Sequence, residues 1–276
     1  KDYFESFSGL CGSELLSRLE SDEAIAKACD TAVALLDSQP IPPGEYDCIC
    51  DPETTGMIVH EAFGHGVEMD MFVKDRALAK QFMGKRVASD LVNMHDGAAA
   101  AKECATFLFD DEGTLAQDTR VIENGILVAG YADAVSAARL GVKPTGNGRR
   151  ESYERKAYTR MTTTFFEGGR DKLEDMIASI QHGYLLENPN SGMEDPKNWG
   201  IQCMVNIARE IRDGKLTGKI FSPIVLTGYV PDLLKSISMM SPTVELGGGG
   251  FCGKGYKEWV KVSDGGPYIK ARIRLG

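Results

Sequence analysis

The chain has 276 residues, 42% of them hydrophobic, and a formal net charge of −9 at pH 7. This length and composition fit a globular protein with one large domain or two small ones. The acidic balance argues against a nucleic-acid partner, because such binding needs a basic surface. No apolar run approaches the roughly 20 residues that span a bilayer, so we expect no membrane segment. Scattered cysteines and the absence of a signal-peptide core favour a cytoplasmic protein without a disulfide framework.

The first quarter of the chain predicts two helices with a linker and a strand between them. Apolar residues recur at helical spacing from Ser13 to Asp37, with an internal cap at Ser21. Gln39 to Gly44 is rich in proline and is typical of a stiff linker. Tyr46 to Cys50 favours a short strand, and Thr55 to Glu68 favours a helix.

Strands dominate the prediction for the rest of the chain. The strand-like stretches before residue 200 are Glu103 to Phe109, Thr119 to Glu123, Ile126 to Ala129 and Tyr158 to Glu167. The short helices are Asp133 to Leu140, Asp171 to Gln181 and Pro231 to Met239. Asn124-Gly125 and Asp213-Gly214 each favour a tight hairpin. The predicted fold class is α+β, with a largely antiparallel β-sheet domain.

The most informative motif is His60-Glu61-Ala62-Phe63-Gly64-His65. Two histidines can bind a metal and the glutamate can transfer a proton, as in metal-assisted hydrolases. The zinc-protease motif H-E-x-x-H has its histidines four residues apart on one helical face, whereas these are five apart. Five residues of a regular helix turn by about 140° beyond one circle, so both histidines reach one metal only if the helix widens, as in a π-bulge, or ends between them. The motif therefore predicts a distorted metal-binding helix that carries HExxxH, and Gly64 lowers the cost of the distortion.

A catalytic zinc usually has three protein ligands, so the motif needs one more. Cys252 is the best candidate, because flanking glycines let the backbone turn tightly and Lys254 favours the thiolate. His95 in a turn and His182 at a helix end are more simply structural. The other interpretation of the motif is a buried core helix whose histidines are structural. The glycine run around Cys252 lacks the helix that a dinucleotide site needs.

Several segments, in the same order, resemble the TldD/PmbA family of metallopeptidases, once described as modulators of DNA gyrase. The matching segments are His60 to Asp70, Ile122 to Leu127, Ala138 to Tyr153, Arg160 to Thr162 and Phe251 to Gly255. The resemblance implies one zinc ion per catalytic chain, held by His60, His65 and Cys252, with Glu61 as the general base. Since PmbA-type subunits lack these ligands, the chain resembles the catalytic, TldD-like type.

The resemblance also implies how the protein is built and what it acts on. Family members form homodimers, or heterodimers of a TldD-like and a PmbA-like subunit, with a cleft suited to unfolded or small peptides. They carry an N-terminal domain, so we expect residues 1–44, an N-terminal helix and linker, to be a remnant of it and residues 45–276 to be the metallopeptidase catalytic domain.

Two groups of residues near the motifs are candidates for supporting roles. Asn147, Arg149 and Arg150 lie in a glycine-rich basic loop and are candidates for substrate binding, although a solvated basic loop would look the same. Glu68 and Asp70 are candidates for orienting the ligand histidines from behind. The alternative is that Glu68 and Asp70 are simply surface carboxylates.

The alternative function is a non-catalytic interaction or regulatory subunit with a structural metal. Such a site would need a fourth protein ligand, which His95, Cys104 or Asp70 could supply. A regulator that binds gyrase or DNA would need a basic face, and the composition does not offer one.

Overall fold

The computed structural model describes residues 3–19, 21–248, 250–255 and 258–276. The α-helices are α1 Leu16–Leu19, α2 Asp22–Ala34, α3 Pro52–Met57, α4 Met69–Val73, α5 Ala134–Leu140, α6 Leu173–Ala178 and α7 Val230–Lys235. A π-helix spans Ile58–Gly64, and 3-10 helices span Ser13–Leu15, Leu35–Asp37, His65–Val67 and Leu78–Phe82. The strands are β1 Gly44–Cys50, β2 Met94–Asp96, β3 Thr119–Glu123, β4 Ile126–Leu127, β5 Gly148–Arg149, β6 Tyr158–Thr159, β7 Thr163–Phe166, β8 His182–Asp195, β9 Gly200–Arg212, β10 Lys215–Phe221, β11 Ile224–Tyr229, β12 Met239–Met240, β13 Glu245–Gly247, β14 Phe251–Lys254, β15 Glu258–Lys261, β16 Ser263–Gly266 and β17 Ile269–Leu275.

Five strands close into a barrel in the order β1-β8-β9-β11-β17, because β17 pairs back onto β1. Strand β10 extends the ring beside β9, and β12 extends it beside β17. A second sheet has the order β13-β16-β7-β2-β3-β4. The strands β14 and β15 form a separate antiparallel pair, as do β5 and β6.

The fold is α+β as predicted, but its sheets are mixed rather than antiparallel. Strand β1 runs parallel to β8 in the barrel, and β7 runs parallel to β16 in the second sheet. Parallel neighbours need a long crossover connection, and the chain between β1 and β8 passes through the whole helical segment and most of the second sheet. Side-chain alternation is the same in both strand directions, so the sequence pattern could not distinguish them.

The helical segment that begins with α3 lies between the barrel strands β8 and β9 and the second-sheet strands β7 and β16. Asp51 caps it by accepting a hydrogen bond from Thr54 N at 2.7 Å, and Pro52 takes the first helical position, where its missing N–H costs nothing. Ile58, Val59 and Phe63 are fully buried. The core of the protein therefore encloses this segment on both sides.

Local signals in the sequence gave correct predictions at several turns and caps. Ser21 caps α2 through a hydrogen bond from Ala24 N at 3.0 Å. Both predicted hairpins form, with positive φ angles at Asn124-Gly125 and at Asp213-Gly214. Helix α5 matches its prediction and begins at the Asp133 cap.

One strand prediction was wrong, and one strand was missed. Glu103 to Phe109 forms no strand; it consists of turns, with one isolated bridge from Phe109 to Leu115. Strand β8 was missed, because the Asn-Pro-Asn-Ser-Gly stretch at 188–192 carries turn residues. Pro189 is tolerated there because the β8–β9 register shifts between Pro189 and Ser191.

Among the described residues, no helix is long and apolar enough to cross a membrane.

Candidate metal centre

The π-helix brings the two motif histidines to one side of the helical segment. The backbone N–H of His65 bonds to the carbonyl of His60, five residues back, where a regular α-helix would bond four back. The two imidazole rings consequently meet edge to face, with centroids 5.2 Å apart. Gly64 packs against Met161 and Tyr131, and a Cβ at Gly64 would collide with the Met161 sulfur.

Cys252 reaches the histidines from the β14–β15 pair. It is 5% exposed, and its Sγ lies 3.3 Å from Nε2 of His65. One donor atom from each of His60, His65 and Cys252 lies within 4.8 Å of the other two. Among the described residues, this is the one group of three or more such side chains with that spacing. Residues far apart in the sequence thus converge at one point.

The charges of the three side chains depend on one another. Burial raises the pKa of the Cys252 thiol, but the positive charges of His60 and His65 outweigh burial and lower it to about 4. Burial lowers the pKa of His60, but the Cys252 thiolate and Glu61 outweigh it and raise it to about 9. Burial lowers the pKa of His65 as well, but the negative charges of Glu68 and Cys252 outweigh it and raise that pKa well above its usual value. Cys252 therefore carries the thiolate that metal ligation requires, and a metal would have to displace the protons held by the two imidazoles.

Two features of the cluster fit a zinc ion: the chemistry of its donor atoms, and a buried nitrogen that has no hydrogen-bond partner. Two imidazoles and a thiolate are donors that zinc prefers. His60 is 3% exposed, yet its Nδ1 has no hydrogen-bond partner; the nearest carboxylate oxygen, on Asp264, is 3.7 Å away. A buried polar atom without a partner is costly, and a metal at this cluster would offset that cost or draw Asp264 into contact.

Glu61 lies beside the cluster and faces the cleft. Its carboxylate oxygens are 4.0 Å from Nε2 of His60 and 3.8 Å from Nε2 of His65. Burial raises its pKa, although both histidines oppose that shift. Gly192 of β8 packs against it, and a Cβ there would lie 2.5 Å from Cγ of Glu61. Strand β8 therefore fixes the Glu61 side chain from the barrel side.

Of the two predicted supporting carboxylates, Glu68 contacts a histidine and Asp70 does not. Glu68 Oε2 lies 3.2 Å from Nδ1 of His65 and accepts a hydrogen bond from Lys254 at 2.9 Å. Burial raises the pKa of Glu68, but Lys254 and His65 outweigh it and lower it to about 2. Asp70 accepts from Lys254 at 2.6 Å and from Lys74 at 3.0 Å.

The three residues predicted to bind substrate contact residues outside the cluster. Asn147 is fully buried and donates to Asp96 at 2.6 Å and to the carbonyl of Arg160 at 2.9 Å. Arg149 is 9% exposed and donates to the carbonyl of Met161 at 2.6 Å. Arg150 is exposed and lies 4.0 Å from Asp111. These contacts support structural roles, and substrate binding by the three residues stays a prediction.

Sequence reasoning missed the roles of Asp264, Arg160 and Gly192. Arg160 lies inside a matched segment, but its long polar side chain favours an exposed position, whereas it is 1% exposed. Asp264 and Gly192 sit in strands β16 and β8, and their neighbours along the chain carry no metal or catalytic pattern. Only the approach of these strands to the π-helix gives the two residues their significance.

A cleft of about 1390 Å³ opens beside the cluster. Its walls include His60, Glu61, His65 and Cys252. Residues of β8 and of the N-terminal segment, among them Phe4, Ser8, Asn188, Gly192 and Glu194, also line it. The candidate metal centre is thus accessible to a sizeable ligand.

The fold is α+β, and a buried His-His-Cys cluster lies beside a glutamate on a cleft, as expected of a metallopeptidase. The family described as PmbA/TldA metallopeptidase C-terminal domain matches residues 43–274. The chain belongs to this family, since the match covers most of its length.

Named relatives support the same class. The chain is 30% identical to a protein named metalloprotease from Methanothermobacter thermautotrophicus, over 97% of this chain and 58% of that protein. It is 31% identical to the zinc metalloprotease TldD homolog of Saccharolobus solfataricus, over 84% of this chain and 52% of that protein. The crystal structure of TldE from Thermococcus kodakarensis has the same fold, with a TM-score of 0.73, 21% identity and coverage of 92% of this chain and 55% of that one. The chain thus spans about half the length of the curated relatives that it matches.

Proposed function

We propose that this chain is the catalytic part of a zinc-dependent peptidase that hydrolyses peptide bonds in unfolded or small peptides. The observation that carries the proposal is the convergence of His60, His65 and Cys252 beside Glu61 in one cleft. In this proposal the π-helix is the metal-binding helix, and one zinc ion per chain is held by those three side chains. Glu68 orients His65 through its 3.2 Å contact with Nδ1.

When bound, zinc would supply Lewis-acid chemistry, polarising a peptide carbonyl and lowering the pKa of a water molecule. Glu61 is placed to take the proton from the attacking water and to deliver it to the departing amine. Burial raises its pKa, and a raised pKa makes the carboxylate a stronger base for the first half of that transfer. Gly192 keeps the Glu61 side chain in position during the transfer.

Three further observations support a peptide substrate. Strand β8 pairs with β9 through Asp195 but with β1 only at its beginning, so its cleft-facing half has a free edge among the described pairings. A peptide can add to such an edge through backbone hydrogen bonds, with little dependence on sequence. The chain's own N-terminal segment lines the same cleft: Asn188 donates to the carbonyl of Phe4 at 3.1 Å, and Gly248 N donates to Ser8 Oγ at 2.6 Å.

We also propose a division of the chain and a working assembly. Residues 1–44 would belong with a separate N-terminal unit, and residues 45–276 would form the catalytic domain, in line with the matched range of 43–274. The working form would be a homodimer or a heterodimer with a PmbA-like subunit. This assembly rests on the resemblance of the sequence to the TldD/PmbA family.

The experiment combines metal content with hydrolysis of an unfolded peptide. Wild type should bind about one zinc per chain and cleave the peptide. Glu61→Gln should keep the zinc and lose activity by about 10²- to 10⁴-fold, because only the proton transfer is removed. Glu167→Gln is the matched control, since Glu167 contacts His95 instead of the cluster. Full activity in Glu61→Gln would remove Glu61 from the mechanism, and a metal-free wild type that stays so in added zinc would reject the site.

The alternative, an interaction subunit with a structural metal, gains no support from the structure. All three side chains considered as a fourth ligand are engaged elsewhere. Asp70 contacts Lys254, Cys104 Sγ lies 3.2 Å from Glu103, and His95 contacts two other carboxylates. Within the described residues the cluster has three donors, which leaves a position for substrate or water.

A further inference from the structure

Arg160 is the largest charged side chain in the buried core around the cluster, at 1% exposure. Its guanidinium donates from Nη2 to the backbone carbonyl of Cys252 at 2.6 Å and from Nη1 to the carbonyl of Glu258 at 3.2 Å. These two carbonyls lie on the paired strands β14 and β15, in which Cys252 is opposite Val260 and Glu258 is opposite Lys254. One side chain thereby holds the strand pair that carries the cysteine.

The same guanidinium also faces the histidine side of the cluster. Its Nε lies 3.8 Å from Oε1 of Glu68, and the other oxygen of Glu68 lies 3.2 Å from Nδ1 of His65. The half-buried Lys254 donates to Glu68 at 2.9 Å, so the carboxylate lies between two cations, one bonded to it and one within 4 Å. A continuous chain of contacts therefore runs from Cys252 through Arg160 and Glu68 to His65.

The backbone of Arg160 is held in turn by the loop at Asn147. Arg160 N donates to the carbonyl of Asn147, and Asn147 Nδ2 donates to the carbonyl of Arg160, both at 2.9 Å. Asn147 Nδ2 also donates to the buried carboxylate of Asp96, which accepts from Thr162 and Thr164 as well. The backbone of Arg160 is consequently held from the side of the second sheet, while its guanidinium reaches the strand pair that carries Cys252.

We propose that Arg160 is a positioning residue that holds Cys252 and His65 at the separation zinc requires. This inference rests on the proposed function, because it concerns the same site. Arginine suits the role since its planar, rigid fork can serve two carbonyls and a carboxylate at once, whereas a lysine ammonium is a single point on a flexible stem. Partners that orient metal ligands from behind are typically worth about 10- to 100-fold in metal affinity.

The test is the zinc affinity of Arg160→Lys, measured by competition with a chelator on the full chain. We expect zinc binding to weaken by about 10- to 100-fold. The absorption spectrum of the cobalt-substituted protein should also change, because it reports the geometry of the thiolate and imidazole ligands. Arg149→Lys is the matched control: Arg149 is buried too and donates to the carbonyl of Met161, but it contacts none of the three donors. Its zinc affinity and cobalt spectrum should be those of wild type.

Thermal unfolding of the metal-free proteins separates positioning from general destabilisation. Equal loss of zinc affinity in the Arg149 and Arg160 variants would overturn the inference, as would unchanged affinity in Arg160→Lys. If Arg160→Lys fails to fold, the double variant Arg160→Met with Glu68→Gln replaces both buried charges by neutral groups of similar shape. Zinc binding at wild-type affinity in that variant would reject the positioning role. A wild type that binds no zinc would overturn the proposed function and this inference with it.

Discussion

Two regions of the molecule surround a buried histidine with carboxylates, and they differ in what the imidazole nitrogens contact. At His95, Nδ1 lies 2.6 Å from Asp118 and Nε2 lies 2.8 Å from Glu167, so both nitrogens have partners. At the cluster, Nδ1 of His60 has no hydrogen-bond partner and Nε2 of His65 faces the Cys252 sulfur. A histidine whose two nitrogens both bond to carboxylates has none left for a metal.

The difference teaches that burial beside acidic residues does not by itself mark a metal site. His95 stacks on Phe165, with ring centroids 5.4 Å apart, and ties strand β2 to the segments around it. That arrangement is a structural one. The cluster instead leaves nitrogen and sulfur donors converging on one point next to a cleft.

The largest expected effect is a loss of zinc binding, tested by one substitution in each of the two regions. Cys252→Ala should weaken zinc binding by more than roughly 100-fold, beyond the effect of losing an outer partner, because a direct ligand is lost. His95→Gln should leave zinc content at the wild-type value. Elemental mass spectrometry on both purified variants measures this. Zinc lost from His95→Gln and retained by Cys252→Ala would reverse the assignment of the two regions.

The next effect concerns the fit of Glu61 against β8. Gly192→Ala would put a Cβ 2.5 Å from Cγ of Glu61, so the carboxylate must shift. We expect kcat to fall by about 10- to 100-fold with zinc content unchanged, since misplacing a catalytic group by about 1 Å has that cost. Steady-state kinetics on an unfolded peptide measures the change.

Gly200→Ala is the control for Gly192→Ala, because a Cβ at Gly200 meets nothing within 4 Å. Normal kcat in Gly192→Ala would show that Glu61 is not held by β8. An equal decrease in both variants would point instead to a general effect on the β8–β9 pair.

A smaller effect tests the structural nature of the His95 group. His95→Ala removes two hydrogen bonds to carboxylates, and we expect the free energy of unfolding to fall by about 2 kcal/mol. Asp118 and Glu167 are partly exposed, so water can replace the lost contacts and limit the cost. Urea unfolding of the metal-free protein gives the value. An unchanged midpoint would mean that the His95 group contributes no net stability.

The smallest effect concerns the cap of the helical segment that leads to the cluster. Burial raises the pKa of Asp51 to about 7, although hydrogen bonds from Thr54 oppose it. Since the folded pKa lies above the unfolded one, the contribution of Asp51 is fully present below about pH 4 and is lost as the pH rises through 7. The stability of Asp51→Asn relative to wild type should therefore rise by about 1 kcal/mol between pH 6 and pH 7. A pH-independent difference between the two proteins would contradict the raised pKa.

Local chemistry made parts of this protein predictable from the sequence alone. The Asn-Gly and Asp-Gly turns, the Ser21 cap and helix α5 depend on residues a few positions apart, and each formed where it was expected. The spacing of His60 and His65 likewise required a widened or broken helix, because a regular one separates them. The choice of Cys252 came from flanking glycines and from a family resemblance, which single-residue patterns could not supply.

Only the tertiary structure decided which strands run parallel, that 182–195 is one long strand, and that the Asn147 loop faces Asp96 and Arg160. It also placed Arg160, Gly192 and Asp264 around the cluster. The physical reason is range: turn and helix signals act over a few residues, whereas strand direction and side-chain contacts depend on segments that are far apart in the sequence and meet only when the chain folds.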